Sequence, residues 1–289
     1  MRHLSQILAL ISLVCCLCSV SYGSVDFKKD IPWEELSDRN VSEDWGKATI
    51  QLLPPGDWKH GETEHFVIHY SKDPSKLARR LERIYAIIFE FFGNPEDRMG
   101  DRKSHIYAIH EWPKWEAFKY QVAKIPWMAG VCRGHEFWFP SRDRNGDFDL
   151  KSRTLNHEMT HLVFNRIYPR HVPTWLNEGI AEYFGSKETM SRRDFRKIMG
   201  RSPRLPLDQF LAVERGITTN EETFIHAFYS EAAILVDFLT AKHDHSKLKR
   251  LVEESIHGKD PRILLPTIYE YNSFTEFEID YLDYREKFE

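Results

Sequence analysis

Two histidines four residues apart place the strongest constraint on how this chain can fold. They belong to the run His157-Glu158-Met159-Thr160-His161, which has the pattern H-E-x-x-H. On an α-helix, residues i and i+4 share one face, so the two imidazoles can reach a single ion. Glu158 can approach the open side of that ion without ligating it. The pattern therefore predicts a helix that carries part of a metal site.

The flanking sequence favours a helix at this position. Polar residues that suit a helix N-terminus precede the motif: Asp147, Asp149 and Ser152. Apolar residues recur through it at three-to-four spacing, as expected for one buried face: Leu155, Met159, Leu162 and Val163. Tyr168-Pro169 predicts the end of the helix, because the residue before a proline disfavours the helical conformation.

A second short helix is predicted to supply the third ligand. It runs from Thr174, a candidate N-cap, to Gly185, a candidate residue just past its C-terminus. It contains Glu178, which follows His161 after the intervening positions 162–177. A helix-turn-helix can bring this carboxylate to both imidazoles. Two histidines and one glutamate leave the fourth zinc position open, which is typical of a catalytic site. We therefore predict one Zn²⁺ per chain.

These residues carry a family resemblance. H-E-x-x-H followed by W-L-N-E-G-x-A resembles the gluzincin metallopeptidases, and 175–179 resembles the third-ligand segment of the aminopeptidase N family. The run E-G-x-A-E-Y is more similar to the bacterial peptidase MA-like proteins. The resemblance implies zinc ligation by His157, His161 and Glu178, and it implies that Glu158 is the general base. The implied fold is an α+β, thermolysin-like domain. A small mixed or antiparallel sheet forms its N-terminal lobe, and a mostly helical lobe carries the zinc helix.

Tyr229 is a candidate for stabilising the transition state. It lies in a helix predicted over 223–242, where Phe-Tyr-Ser-Glu-Ala at 228–232 resembles the Y-x-x-A helix of peptidase MA-like proteins. The resemblance places its hydroxyl over the cleft, where it can donate a hydrogen bond to the developing oxyanion. His226 is a weaker substitute for this role. The alternative is that Tyr229 is an aromatic packing residue.

Glu182 is a candidate for orienting a metal ligand. It lies one helical turn after Glu178, so both carboxylates share a helix face. It can accept the free ring N–H of His157, as supporting partners of metal-bound histidines commonly do. The alternative is a solvated surface glutamate.

Strands are predicted before the motif at 65–70 and 105–110, with a helix over 76–92 between them. Segments 129–132 and 136–139 predict a pair of strands joined by a turn near Gly134. In gluzincins an edge strand beside the zinc cleft pairs with the substrate backbone. The resemblance gives that role to Gly130 and Val131, and a core hairpin is the alternative. Cys132 is expected to pack as a small hydrophobic residue.

Two other groups of residues are interpreted as unrelated to metal binding. Alternation along strands accounts for four histidines: His65, His69, His105 and His110. Four side chains with oxygen atoms alternate along the segment before the motif with the spacing of a calcium loop: Asp143, Asn145, Asp147 and Asp149. Phe148, however, stands where such a loop needs glycine, and Thr154 stands where it needs glutamate. A polar loop is predicted there instead.

Residues 1–23 are predicted to be a secretory signal peptide. An apolar run over 7–20 follows a weakly basic start and is shorter than the roughly 20 residues of a typical membrane span. An uncleaved anchor is the alternative, whereas a lipoprotein at Cys15 or Cys16 lacks the preceding small residue. After the signal only Cys132 remains of the 4 cysteines, so no internal disulfide is expected. An exported, periplasmic or secreted protein fits this pattern.

The composition of the full sequence is that of a globular protein: it is 42% hydrophobic, with a formal net charge of −4. It has no basic stripe, so nucleic acid is not an expected partner. We divide it into an N-terminal extension at 24–61, a β-rich lobe at 62–150 and a helical lobe at 151–289.

The expected function is a secreted zinc peptidase that acts on a peptide or protein. No membrane contact is expected beyond the signal peptide. The alternatives are a binding protein that retained the site without turnover, and a zinc hydrolase of non-peptide amides or esters. The sequence leaves the oligomeric state and the cleavage preference open.

Overall fold

Five strands form one mixed sheet in the part of the chain that the computed structural model describes, which comprises residues 25–52, 57–141, 147–168, 170–213, 216–217 and 221–288. The strands are β1 (Lys59–Glu62), β2 (Phe66–Tyr70), β3 (Ser104–Ile109), β4 (Val131–Arg133) and β5 (Glu136–Pro140), in the spatial order β1-β2-β3-β5-β4. β3 pairs in parallel with β2 and β5, whereas β1 and β4 are antiparallel edge strands. The predicted strands are confirmed, and the molecule is a mixed α+β protein.

Helices fill the connections and the second half of the chain. In chain order they are α1 (Trp45–Gln51), α2 (Ser75–Phe91), α3 (Trp112–Ala117), α4 (Arg153–Ile167), α5 (Thr174–Lys187), α6 (Arg192–Met199), α7 (Leu207–Leu211), α8 (Glu222–Lys242), α9 (His245–Ser255), α10 (Pro261–Tyr269) and α11 (Phe274–Glu286). A 3₁₀ turn at Trp33–Glu35 and a π-helix at Phe118–Ala123 complete the helical elements of the described residues. The helices predicted at 76–92 and 223–242 agree with α2 and α8 to within one residue at each end.

The two faces of the sheet meet different layers because side chains alternate along each strand. One face of the sheet packs into the main hydrophobic core, to which it contributes Phe66, Ile68, Ile106 and Phe137. In this core α2 packs against α4, and α4 contacts β4 and β5. The other face is covered by α1, α3 and the π-helix, in an aromatic layer of Trp45, Tyr107, Trp115, Phe118 and Trp138. The helix with the H-E-x-x-H motif therefore lies on the first face, beside the edge strand β4.

α8 is the central helix of the helical half, and α5 packs against both α8 and α4. α8 is long and apolar enough to cross a membrane, with a mean hydropathy of 1.3, but 67% of that window is buried inside the protein. The approach of α5 to α8 is close: a Cβ added to Gly179 would lie 2.6 Å from the Ala232 carbonyl oxygen. Glycine at this position therefore lets the two helix backbones touch.

Residues 25–52 and 57–62 contact the sheet. Lys28 pairs with Glu62 through backbone hydrogen bonds, and the Trp138 indole donates to Thr49 Oγ1 at 2.8 Å. The predicted division between residues 61 and 62 falls inside β1, whose sequence Lys-His-Gly-Glu has no apolar alternation to reveal it. The predicted signal peptide, residues 1–23, lies outside the described residues.

The predicted ends of α5 are wrong in two respects. Thr174 is already helical and Pro173 is the N-cap, and the helix continues two residues beyond Gly185. Gly185 lies against α4 instead, where an added Cβ would be 3.1 Å from Arg153 Cγ and 3.4 Å from His157 Cβ. This glycine therefore permits close helix packing and does not terminate the helix.

Three histidines on the second face of the sheet form a buried row. His60 Nδ1 lies 2.8 Å from His69 Nδ1, and His69 Nε2 lies 3.0 Å from His105 Nδ1. Asp38 Oδ1 lies 3.8 Å from His105 Nε2 at one end. Burial lowers the pKa of His60, and burial and the two neighbouring imidazoles hold the pKa of His69 well below its usual range. His69 is therefore neutral in the folded protein near pH 6.

Acid is expected to weaken the fold through His69. An unfolded histidine takes up a proton below about pH 6.5, whereas folded His69 does not, so the free energy of unfolding falls by about 1.4 kcal/mol for each pH unit below 6.5. The carboxylate of Asp38 does not titrate in this pH range. Burial raises its pKa, but the nearby His105 imidazole and hydrogen bonds from two backbone amides outweigh burial and lower it.

Urea unfolding at pH 7.5 and 5.5 measures this effect. The loss of stability on acidification should be about 1.4 kcal/mol smaller in His69→Gln than in wild type. The exposed-site control His226→Gln should behave as wild type. The same pH dependence in all three proteins would show that His69 is not the group responsible.

Candidate metal centre

His157, His161 and Glu178 meet where α4 contacts α5. The two Nε2 atoms are 3.1 Å apart, and Glu178 Oε2 lies 3.4 Å from His157 Nε2 and 3.5 Å from His161 Nε2. Zinc bonds of about 2.0–2.1 Å in a tetrahedral arrangement place neighbouring ligand atoms roughly 3.3 Å apart. Within the described residues, this is the group of histidine, cysteine and acidic side chains that could hold a metal ion.

The chemistry of the donors fits a zinc ion. Glu178 Oε2 is buried and has no hydrogen-bond partner, although buried polar atoms in proteins normally have one. Two imidazoles and one carboxylate are the donor set of catalytic zinc sites. The side chains of all three residues are mostly buried, so an ion held between them would be bound largely by protein. The residues present therefore fit the ion that the sequence predicts.

The electrostatics of the three side chains are strongly coupled. Burial alone would lower the pKa of His161, but the Glu178 carboxylate outweighs burial and raises it to about 9. Burial would raise the pKa of Glu178, but the charges of the two nearby histidines, His161 first, lower it far below its usual range. Glu178 is therefore ionised at neutral pH. A buried anion beside two imidazoles favours a cation in the same place.

Both imidazoles are held through their other ring nitrogen. His157 Nδ1 lies 3.3 Å from Glu182 Oε1, and Arg153 forms an ion pair with the other oxygen of Glu182. His161 Nδ1 lies 3.2 Å from Asn177 Oδ1. An oxygen beside each Nδ1 favours the tautomer that is protonated there, which leaves both Nε2 lone pairs free for a metal. Glu182 is only 6% exposed, so it is not a solvated surface residue.

Loss of the Glu182 carboxylate is expected to weaken metal binding. Glu182→Gln should raise the zinc dissociation constant about 10- to 100-fold, because the amide is a weaker acceptor for the His157 N–H and no longer pairs with Arg153. Competition with a fluorescent zinc chelator measures this constant. Glu222→Gln, an exposed glutamate on α8, is the control and should bind zinc as wild type does. An unchanged zinc dissociation constant in Glu182→Gln would show that Glu182 does not support metal binding.

Glu158 faces the edge strand, and its charge is close enough to His161 to help raise the pKa of that imidazole. Its Oε2 accepts a hydrogen bond from the Cys132 backbone N–H at 2.8 Å. The Cys132 thiol is no competing ligand, because burial and then the Glu158 charge raise its pKa well above the usual range. It stays a protonated thiol, and Cys132 packs against the main core as the small hydrophobic residue that the sequence predicts. Glu158 is thus fixed between the metal ligands and β4.

The register of β4 decides which of its backbone groups are free. Val131 pairs with Trp138, Cys132 with Phe137 and Arg133 with Glu136. Because the Cys132 N–H points away from β5, the outward backbone groups are those of Cys132 and, two residues earlier, Gly130. Gly130 also lies close to the motif, since an added Cβ would be 3.6 Å from Glu158 Cγ. Gly130 therefore directs its backbone groups outward, whereas the backbone of Val131 faces β5. The role predicted for Gly130 and Val131 stays a prediction.

Tyr229 lies near the metal centre on α8. Its ring centroid is 6.4 Å from that of His157. Burial, followed by the charges of Glu178 and Glu158, raises the pKa of its hydroxyl well above the usual range, so the group stays a donor. His226 does not reach the site: its side chain is 70% exposed and lies 3.6 Å from Glu222 on the surface.

The structure also describes the strand histidines that the sequence indicates are not metal ligands. Among the described residues, none of His65, His69, His105 and His110 belongs to a group of three potential ligands. His65 instead lies 2.7 Å from Glu82 and stacks on Tyr85. The centre of the predicted polar loop, 142–146, lies outside the described residues.

Comparison with known proteins adds no relative to this picture. Searches of the chain against protein-family models and against curated proteins find no match. The function is therefore argued from the residues of the site.

Proposed function

We propose that this protein is a zinc-dependent peptidase of the gluzincin class. The observation that carries the proposal is the triangle of His157, His161 and Glu178 atoms, with Glu158 beside it but outside it. Three protein ligands that leave one position open are typical of catalytic zinc. A helix with the motif that packs on a mixed sheet beside an edge strand supports the thermolysin-like assignment.

The chain's own residues account for the remaining steps. Zinc, when bound, would supply a Lewis acid that polarises a carbonyl and lowers the pKa of water. Glu158 then accepts the proton of the attacking water and returns it to the leaving amine. The Tyr229 hydroxyl donates a hydrogen bond to the developing oxyanion. Glu182 and Asn177 keep the imidazoles of His157 and His161 in orientation.

The edge strand favours a peptide over other amides and esters. The outward N–H and C=O of Gly130 and the outward C=O of Cys132 can pair with an extended chain, as strands do when a peptide adds to the edge of a sheet. The Cys132 N–H is already donated to Glu158. Glu158 lies 2.8 Å from the same strand, so a bound backbone passes the general base. A small ester would use none of these strand contacts.

Cleavage of an unstructured protein tests the proposal. Zinc-loaded wild type should produce fragments, read by mass spectrometry, that Glu158→Gln does not produce. A binding protein without turnover would retain the intact chain. A non-peptide hydrolase would cleave amide or ester substrates and leave peptides whole.

Export is part of the same proposal and is checked by sequencing the N-terminus of the protein recovered from cells.

A further inference from the structure

An aromatic surface lies just before the edge strand. Among the described residues, the exposed large aromatic side chains are Trp112, Tyr120 and Trp127, which are 53%, 59% and 82% exposed. All three lie within 112–127, on α3, the π-helix and the turn after it. We call these three residues the aromatic rim. Large aromatic surface left in water is the usual mark of a contact site.

The rim is gathered around one lysine. Lys119 Nζ lies 5.8 Å from the ring centroids of both Trp112 and Tyr120 and donates to the Pro126 carbonyl at 3.0 Å, next to Trp127. The same ammonium lies 2.8 Å from Glu116 Oε1. Its charge is therefore balanced within the protein. The surface that remains is aromatic and close to neutral.

The rim continues directly into the candidate active site. Gly130 is the third residue after Trp127, and its added Cβ would lie 3.6 Å from Glu158 Cγ. Three residues of extended chain span at most about 10–11 Å. Along this stretch Trp127 and Ala129 are exposed while Met128 and Gly130 are buried. A peptide that pairs with β4 would therefore reach the rim about three residues from the bond beside Glu158.

We propose that the aromatic rim is a specificity subsite for an apolar, preferably aromatic, side chain of a polypeptide substrate. That side chain stands three or four residues from the cleaved bond. The inference rests on the proposed peptidase function. A phenyl ring on Trp127 would bury apolar surface on both partners and gain an aromatic contact, which favours such substrates about tenfold. Because the aromatic rim continues into β4, it is placed to contact a substrate chain and not a lipid bilayer. The charges at 111–127, Lys114, Lys119 and Lys124 against Glu111 and Glu116, nearly cancel.

Matched peptides test the proposal. The cleavable centre is taken from library cleavage by wild type, and Phe or Ser is placed three or four residues away on either side. In wild type, kcat/KM should be about tenfold higher for Phe than for Ser at one of these positions. In Trp127→Ser and Trp112→Ser this ratio should fall to near one. Ile263→Ser, which changes another exposed apolar residue, on α10, is the control and should keep the wild-type ratio. An unchanged ratio in both tryptophan variants overturns the proposal.

Two further measurements separate this inference from the proposed function. If wild type cleaves neither peptide, the peptidase proposal has failed, and fluorescence anisotropy of labelled Phe and Ser peptides then decides the role of the rim. Tighter binding of the Phe peptide that is lost in Trp127→Ser supports the subsite, and equal binding of both peptides overturns it. Binding to phosphatidylethanolamine–phosphatidylglycerol vesicles that Trp127→Ser abolishes, with no peptide preference, also overturns it in favour of a membrane contact.

Discussion

Glu158→Gln is expected to lower kcat for peptide hydrolysis about 10²- to 10⁴-fold while one equivalent of zinc stays bound. Glutamine keeps the shape of the side chain but cannot take a proton from water at neutral pH. Its amide oxygen can still accept the Cys132 N–H that Glu158 accepts at 2.8 Å, so β4 should keep its place. Steady-state kinetics together with metal analysis of the same sample measure both quantities.

The control for this variant is Glu222→Gln, which removes an exposed carboxylate from α8 and should leave kcat and metal content unchanged. The decisive comparison is between metal content and rate. A Glu158→Gln protein that binds zinc and turns over within threefold of wild type would mean that another group moves the proton. Loss of zinc in the same variant would instead make Glu158 a ligand, contrary to its contact with β4.

The elements of the fold were predictable where local pattern dominates. α2 and α8 have long apolar stripes, and β2, β3 and β5 are apolar runs, so periodicity located them to within a residue or two. β1 was missed because its four residues are polar, and it is a strand because of its neighbours β2 and Lys28. The contacts of Lys28 and Thr49 with the sheet join distant segments, which no local pattern records.

The candidate metal ligands could be predicted because helix geometry brings them together. Residues i and i+4 share a face whatever the rest of the chain does, so His157 and His161 needed no tertiary information. Glu178 and Glu182 follow from the same spacing once α5 lies against α4. Gly185 shows the limit of this reasoning: glycine suits both a helix end and a close helix contact, and only the packing of α5 on Arg153 and His157 decides between them.

The sequence did not reveal the contacts of Asn177, Arg153 and Cys132 around the candidate site, because these contacts depend on how the elements pack. Asn177 precedes Glu178 and reaches His161 only because of the rotation of α5, and Arg153 reaches Glu182 across the α4–α5 interface. Cys132, not Val131, presents its N–H to Glu158 because of the register of β4 on β5, and a shift of one residue would exchange the two. The run W-L-N-E-G offered a signal for Asn177, since a side-chain amide next to a ligand is a common supporting partner.

Glu178→Ala is expected to remove the metal. It deletes one of three protein ligands, so its effect on zinc affinity should exceed the roughly 10- to 100-fold cost of losing a supporting partner such as Glu182. Zinc at 1,000 times its dissociation constant stabilises the folded protein by about 4 kcal/mol, which corresponds to a Tm shift on the order of 10 °C. A chelator should therefore lower the Tm of wild type by this amount and leave the Tm of Glu178→Ala unchanged.

The chelator comparison is needed because Glu178→Ala also changes the protein without metal. The buried Glu178 carboxylate raises the pKa of His161 to about 9, so its removal alters stability even in chelator. The difference between the two Tm values within each protein cancels that contribution, and only the metal remains. A variant that keeps both one equivalent of zinc and the full chelator response would show that another side chain completes the site. A wild type without any response would show that the ion does not tie α4 to α5.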